Sequence, residues 1–76
     1  MMPPQIVAIA KNILHESAAI SADPKIRVGR TETEKLIRVV ALFLSMEDEK
    51  LRNAILAEAQ NRIFVAQAIG KKPWEI

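Results

Sequence analysis

The segment from Leu36 to Met46, LIRVVALFLSM, most constrains what this chain can fold into. On an α-helix its large apolar side chains sweep an arc of roughly 220°, against the ~100° stripe of an ordinary surface helix. Such a helix has to be covered from several sides, and a chain of 76 residues offers little else to cover it. Chains this short bury only about 60% of their unfolded surface, so oligomerisation is a common remedy. The segment predicts a small helical protein that associates with itself or with a partner.

The composition excludes several classes of protein. Half of the residues are hydrophobic and 26% are charged, which is typical of a globular chain and not of a disordered one. The absence of cysteine excludes disulfides, thiolate catalysis and cysteine-based zinc sites. The first residues lack the basic and apolar regions of a signal peptide, and no apolar run approaches the ~20 residues of a membrane span. We therefore expect one cytoplasmic domain without membrane contact.

Local signals divide the chain into helices and connections. Pro3 and Pro4 suit a first helical turn, and the helical period predicts a first helix over about residues 4–20. Residues 21–30 break that period and are interpreted as a linker. Within it Asp23-Pro24 favours a turn, and residues 25–28 alternate as a short extended segment does.

Capping signals predict where the second and third helices begin. Thr31 and Glu34 have capping-box spacing, which starts a second helix over about residues 31–44. Its β-branched residues also fit a buried strand, but the length and the cap favour a helix. Ser45 is predicted as the next N-cap, with a third helix over about residues 46–69. Gly70 suits the C′ position, and a tail follows over residues 70–76.

The predicted fold class is all-α, a single domain of three helices with short connections. We expect an antiparallel bundle whose middle helix is the most buried and whose third helix is the longest. The third helix would be about 36 Å long, which exceeds one compact core. The bundle is therefore predicted to be completed by oligomerisation, with a homodimer favoured.

The apolar faces of the second and third helices predict an oligomer interface. The residues assigned to it are Val39, Val40, Leu42, Phe43, Leu51, Ile55, Glu58, Arg62, Ile63 and Ile69. Glu58 and Arg62 stand at i,i+4 on this face, and two interpretations remain open. They form either a solvent-facing ion pair or a desolvated pair that fixes the register of a helix–helix seam.

Trp74, the only tryptophan, follows the third helix. A lone tryptophan in a small protein commonly buries a large apolar surface. Two interpretations remain open, because the tail either packs Trp74 against its own domain or offers it to a partner as an anchor.

A basic cluster spans the linker and the start of the second helix. It comprises Lys25, Arg27, Arg30, Lys35 and Arg38. Glu32 and Glu34 interrupt it, no aromatic residue is interleaved for base stacking, and no helix-turn-helix pattern is found. Solvated charge is the favoured interpretation, and contact with nucleic acid is the alternative.

No residue pattern predicts a catalytic, cofactor-binding or metal site. His15 is the only histidine and lies on the polar face of the first helix, without metal-ligand spacing to another residue. The acidic residues are accounted for by caps, helix termini and ion pairs. We predict a non-enzymatic helical module for protein–protein interaction or oligomerisation, and the alternative is a small nucleic-acid-associated regulator.

Overall fold

A computed structural model describes residues 3–76, which form three α-helices and no β-strand. The helices are α1, Pro4–Ser21; α2, Glu32–Phe43; and α3, Glu49–Ile69. The predicted all-α fold with three helices is confirmed. The third helix is the longest, as expected.

Thr31 caps α2 as the capping-box spacing predicts. Its Oγ1 accepts a hydrogen bond from the backbone N–H of Glu34 at 3.0 Å. In a standard capping box the glutamate carboxylate accepts from the backbone N–H of the cap residue itself. Here the Glu34 carboxylate accepts from the N–H of Arg30, one residue earlier, at 3.5 Å. The signal therefore locates the helix start, while the reciprocal bond is displaced by one residue.

The predicted N-cap of α3 at Ser45 is wrong, because Asp48 occupies that position. The Asp48 carboxylate accepts a hydrogen bond from the Leu51 N–H at 2.7 Å, and the helix begins at Glu49. Ser45 instead donates its hydroxyl to the Leu42 carbonyl at 2.8 Å and so caps the end of α2. A carboxylate also complements the positive end of the helix dipole, which a hydroxyl cannot do. At the other end, Gly70 adopts the left-handed conformation (φ 70°) expected at a helix terminus.

Helix α1 occupies the central position, packing more extensively against α2 and α3 than these pack against each other. The core joins all three helices and consists of Ala10, Leu14, Val40, Leu44, Ile55, Ala59 and Ile63. The position between the other two helices thus belongs to α1 and not to the middle helix α2. Only one side of its apolar arc is covered by α1 and α3. The Cα atoms span 34 × 31 × 16 Å, so the domain is flattened.

Gly29 lies against the first turn of α2, and this contact leaves no room for a side chain. A Cβ atom at this position would lie 2.9 Å from the backbone nitrogen of Lys35 and 3.1 Å from the Glu34 side chain. We expect Gly29→Ala to lower the free energy of unfolding by about 1–2 kcal/mol, because the linker or the helix must shift. Urea unfolding followed by circular dichroism measures it. Arg30→Ala is the matched control, since Arg30 contacts Glu34 through its backbone, and an equal loss there would contradict this explanation.

Candidate functional site

An apolar groove lies beside α2. It is lined by Ile20, Ile26, Val28, Val39, Leu42 and Phe43, and we call these six residues the α2 patch. Leu42 is 64% exposed and Phe43 41% exposed, so both side chains present apolar surface to solvent. Met46, three residues after Phe43, is 94% exposed and adds to the apolar surface at this end of α2.

Two elements besides α2 build the patch. Ile20 comes from the last turn of α1. The linker brings in Ile26 and Val28, which are half-buried, while the intervening Arg27 is exposed. The alternation predicted for the linker is therefore present in its exposure. Val39 is buried at the base of the groove, so the groove has a packed floor and an open rim.

The predicted interface residues fall into groups. Val39, Val40, Ile55 and Ile63 are buried within the chain itself, by its own α1 and its neighbours, and offer no surface to a second molecule in this conformation. Leu51 is half-buried against the core. Leu42, Phe43 and Ile69 are exposed. Helical periodicity identifies an apolar face, but it does not say which molecule covers that face.

Glu58 and Arg62 form the predicted i,i+4 pair, and it is sheltered from solvent. Their side chains are 12% and 14% exposed, respectively, and Arg62 Nε lies 3.8 Å from Glu58 Oε2. The guanidinium also donates to the backbone carbonyls of Pro73, at 3.3 Å, and Ile76. The pair is thus desolvated, and the segment that covers it is the tail of the same chain.

Trp74 packs against its own domain, as the first of the two interpretations of the tail predicts. It contacts the core from outside and meets His15 edge-to-face, with ring centroids 5.0 Å apart. The Lys72 ammonium lies 5.9 Å from the centre of the indole ring. His15 is an exposed residue of α1, so the ring contact joins the tail to that helix. Trp74 is half-buried by these contacts, so its role here is to hold the tail in place.

The basic cluster does not form one continuous free surface. Arg38 is paired with Glu34 at 3.1 Å, and Lys35 is half-buried, whereas Lys25, Arg27 and Arg30 are exposed. The acidic residues at the start of α2 thus neutralise part of the cluster. Contact with nucleic acid stays a prediction from the sequence.

The residues predicted for the interface left out five contributors to the apolar surface: Ile20, Ile26, Val28, Met46 and Phe64. Ile20 lies on the last turn of α1, and Met46 ends the apolar segment 36–46 in the turn after α2, so the sequence pattern already contained both. Val28 was seen only as part of an alternating linker. Phe64 is 73% exposed on the outer face of α3 and stands apart from the α2 patch. Phe64 falls on the polar side of the helical period of α3, and a phenylalanine on a polar face is the sequence signal that could have identified it.

A second cavity of about 310 Å³ lies where α1, α2 and α3 meet the tail. Its lining combines apolar side chains with Thr33, Gln67 and Lys71. The Gln67 amide donates to the Thr33 hydroxyl inside it, so two of its polar groups satisfy each other. Across residues 3–76, no three His, Cys, Asp or Glu side chains are grouped to hold a metal ion.

Comparisons of this chain with protein-family models, curated proteins and solved structures found no match. In the part of the chain that the structure describes, no helix combines the length and apolarity needed to cross a membrane. The function is therefore inferred from the surface of the chain itself, where the α2 patch is a groove lined only by apolar residues.

Proposed function

We propose that this chain is a non-enzymatic helical interaction module that associates with a second copy of itself through the α2 patch. The observation that carries the proposal is the exposure of Leu42 and Phe43 at the rim of an apolar groove. Contiguous exposed apolar patches can mark interaction sites, and the six residues that line the α2 patch come together from α1, the linker and α2. A groove with a packed floor and a protruding leucine at its edge also provides both a knob and a hole for a matching surface.

The total surface of the chain supports a second copy as the occupant. The chain exposes 5355 Å², whereas a compact monomer of its mass, 8.5 kDa, exposes about 4,650 Å². The excess of about 700 Å² is close to the ~800 Å² that each partner buries in an interface of standard size. The chain thus leaves more surface exposed than a compact monomer of its mass does, which supports a protomer that packs against a second copy.

The apolar side chains supply a favourable term for the association. Burying a leucine or phenylalanine side chain completely is worth about 1.5–3 kcal/mol, and a partly buried one contributes the remaining fraction. Each residue contributes twice to the free energy of a symmetric dimer, because both copies use the same surface. Leu42 and Phe43 from two chains thus form the central apolar contact, with Ile20 and Val28 around it.

Leu42→Glu is expected to abolish self-association, raising the dissociation constant roughly 100-fold or more. Two buried carboxylates would replace two leucines at the centre of the interface, and neither would have a partner. Light scattering coupled to size-exclusion chromatography, over a series of protein concentrations, measures the mass. We expect twice the 8.5 kDa of one chain for the unmodified protein and a single chain for the variant.

Phe64→Glu is the matched control, because Phe64 is even more exposed than Leu42 but lies on another helix. It should leave the dimer intact. Met46→Glu tests the apolar surface that follows the α2 patch along the chain, at a position that is 94% exposed, where the fold cannot depend on the side chain. Circular dichroism checks that each variant is helical. A single-chain mass for the unmodified protein at its highest soluble concentration overturns the proposal, and so does a Leu42→Glu variant that stays dimeric.

A further inference from the structure

The cavity of about 310 Å³ where the three helices meet the tail is built from small side chains, and we call it the tail cavity. Ala18 and Ala22 at the end of α1 and Ala66 of α3 are part of its lining. Larger side chains at these positions would fill the space. Pro73 and Trp74 also line it, so the tail forms one of its walls.

Backbone hydrogen bonds hold the tail wall in position. At the start of the tail, the Lys71 N–H donates to the Ala66 carbonyl at 3.0 Å. Further along, the Arg62 guanidinium donates to the Pro73 carbonyl at 3.3 Å. These bonds lie within the chain and place the wall independently of any ligand. The tail cavity is therefore largely pre-formed, as binding pockets usually are.

The tail cavity has an apolar surface with few polar groups. Leu36 and Trp74 are half-buried and Ile63 is buried, and all three line it. Thr33 and Gln67 bond to each other across it. Small-molecule pockets combine these features at volumes from about 300 Å³ upward. A cavity of about 150 Å³ holds a benzene ring, so the tail cavity has room for an aromatic ring with a short aliphatic chain.

The charged groups of the tail cavity are two ammonium groups and one carboxylate. They belong to Lys71, Lys72 and Glu32, which are all exposed. Within residues 3–76 the ion pairs are formed by other side chains, so neither lysine has a carboxylate partner. The Lys72 ammonium lies 5.9 Å from the centre of the Trp74 ring, which places a positive charge beside the apolar wall. This excess of positive charge favours an anionic ligand over a cationic one.

We propose that the tail cavity binds a small monocarboxylic acid with an apolar body. The body packs against Leu36, Ile63 and Trp74, while the carboxylate accepts charge-assisted hydrogen bonds from Lys71 and Lys72. The lining shares no residue with the α2 patch, so this site does not depend on the proposed self-association.

Three probes that share one apolar body test the charge preference. Phenylbutyrate is anionic, phenylbutanol is neutral and phenylbutylamine is cationic. Trp74 is the only tryptophan and lines the cavity, so its fluorescence reports binding directly. We expect a saturable change in emission, with the dissociation constant of the acid roughly fivefold or more below that of the alcohol at low ionic strength. The amine should bind most weakly, and the differences should shrink as salt screens the charges.

Four variants locate the site. Lys71→Gln, at an exposed position, should weaken binding of the acid roughly threefold and leave the alcohol unchanged. Lys25→Gln is the matched control, because Lys25 is exposed in the linker and does not line the cavity. Ala18→Leu fills part of the cavity and should weaken both probes roughly tenfold. Leu42→Glu changes only the α2 patch and should leave binding as it is. Circular dichroism checks that each variant is helical.

The outcomes decide between this site and other ways of binding an apolar probe. Equal affinity for the acid and the amine overturns the proposal, and so does an equal effect of Lys71→Gln and Lys25→Gln. Binding that is lost in Leu42→Glu but kept in Ala18→Leu places the probe in the α2 patch and also overturns it. The absence of a saturable Trp74 response to every probe at millimolar concentration has the same meaning. The expected charge order together with weaker binding in Lys71→Gln and Ala18→Leu supports the proposal.

Discussion

Ile55→Ala is expected to lower the free energy of unfolding by about 3 kcal/mol. Ile55 is 1% exposed in the core that joins all three helices, so truncation leaves a cavity that α1 and α2 cannot close. A domain of this size is stable by only about 4–11 kcal/mol, and the loss is a large part of the total. The free energy of unfolding falls by about 1 kcal/mol per molar urea, so the urea concentration at the unfolding midpoint falls by about 3 M.

Ile69→Ala is the matched control on the same helix. The chemical change is identical and the gain in helix propensity is similar, but Ile69 is 53% exposed at the last position of α3. Its loss should stay below about 1 kcal/mol. Both variants are measured at one protein concentration, because self-association adds to stability by mass action. Equal losses would contradict the assignment of Ile55 to the core of the single chain.

The helices of this protein follow largely from local signals in the sequence. Pro4 at the first turn of α1, the Thr31 cap of α2 and Gly70 at the end of α3 all act within one turn of chain, so each can be identified without the fold. The N-cap at Asp48 was missed because two cap residues, Ser45 and Asp48, stand three positions apart. The choice between them depends on the Ser45 hydroxyl bonding back to the Leu42 carbonyl, a local contact that competes with its use as an N-cap.

The surface was harder to predict than the helices. The apolar arc of α2 indicated that something must cover it, and Val40 and Leu44 are indeed covered by the same chain. Leu42 and Phe43 lie on the remaining part of that arc. Which part is covered depends on the angle at which α1 crosses α2, and no pattern within either helix encodes that angle. The central place of α1 depends on the same crossing.

The tail shows a second limit of local reasoning. Glu58 and Arg62 were recognised as a pair on an apolar face, and a neighbouring helix was the natural candidate to cover them. The actual cover comes from residues 73–76 through backbone carbonyls, which carry no signal in the side-chain pattern. Trp74 was identified as an anchor, but its contact with His15 joins positions 59 residues apart in the sequence.

Arg62→Met is expected to lower the free energy of unfolding by about 2 kcal/mol. The substitution keeps much of the aliphatic side chain but leaves the Glu58 carboxylate, which is 12% exposed, without its counter-charge. It also removes the donors to the Pro73 and Ile76 carbonyls that hold the tail. Trp74 is the only tryptophan, so its fluorescence reports the tail directly. We expect its emission to shift to the red and its quenching by acrylamide to increase.

The double variant Glu58→Met/Arg62→Met separates the two consequences. Removing both charges leaves no uncompensated ion, so most of the lost stability should return. The tail remains without its donors, so the Trp74 emission should stay shifted to the red. Urea unfolding and fluorescence, measured on the same samples, distinguish the two effects. If Arg62→Met leaves the Trp74 emission unchanged, the edge-to-face contact with His15 holds the tail without help from Arg62. If the double variant is as unstable as the single one, the loss comes from the tail and not from the stranded carboxylate.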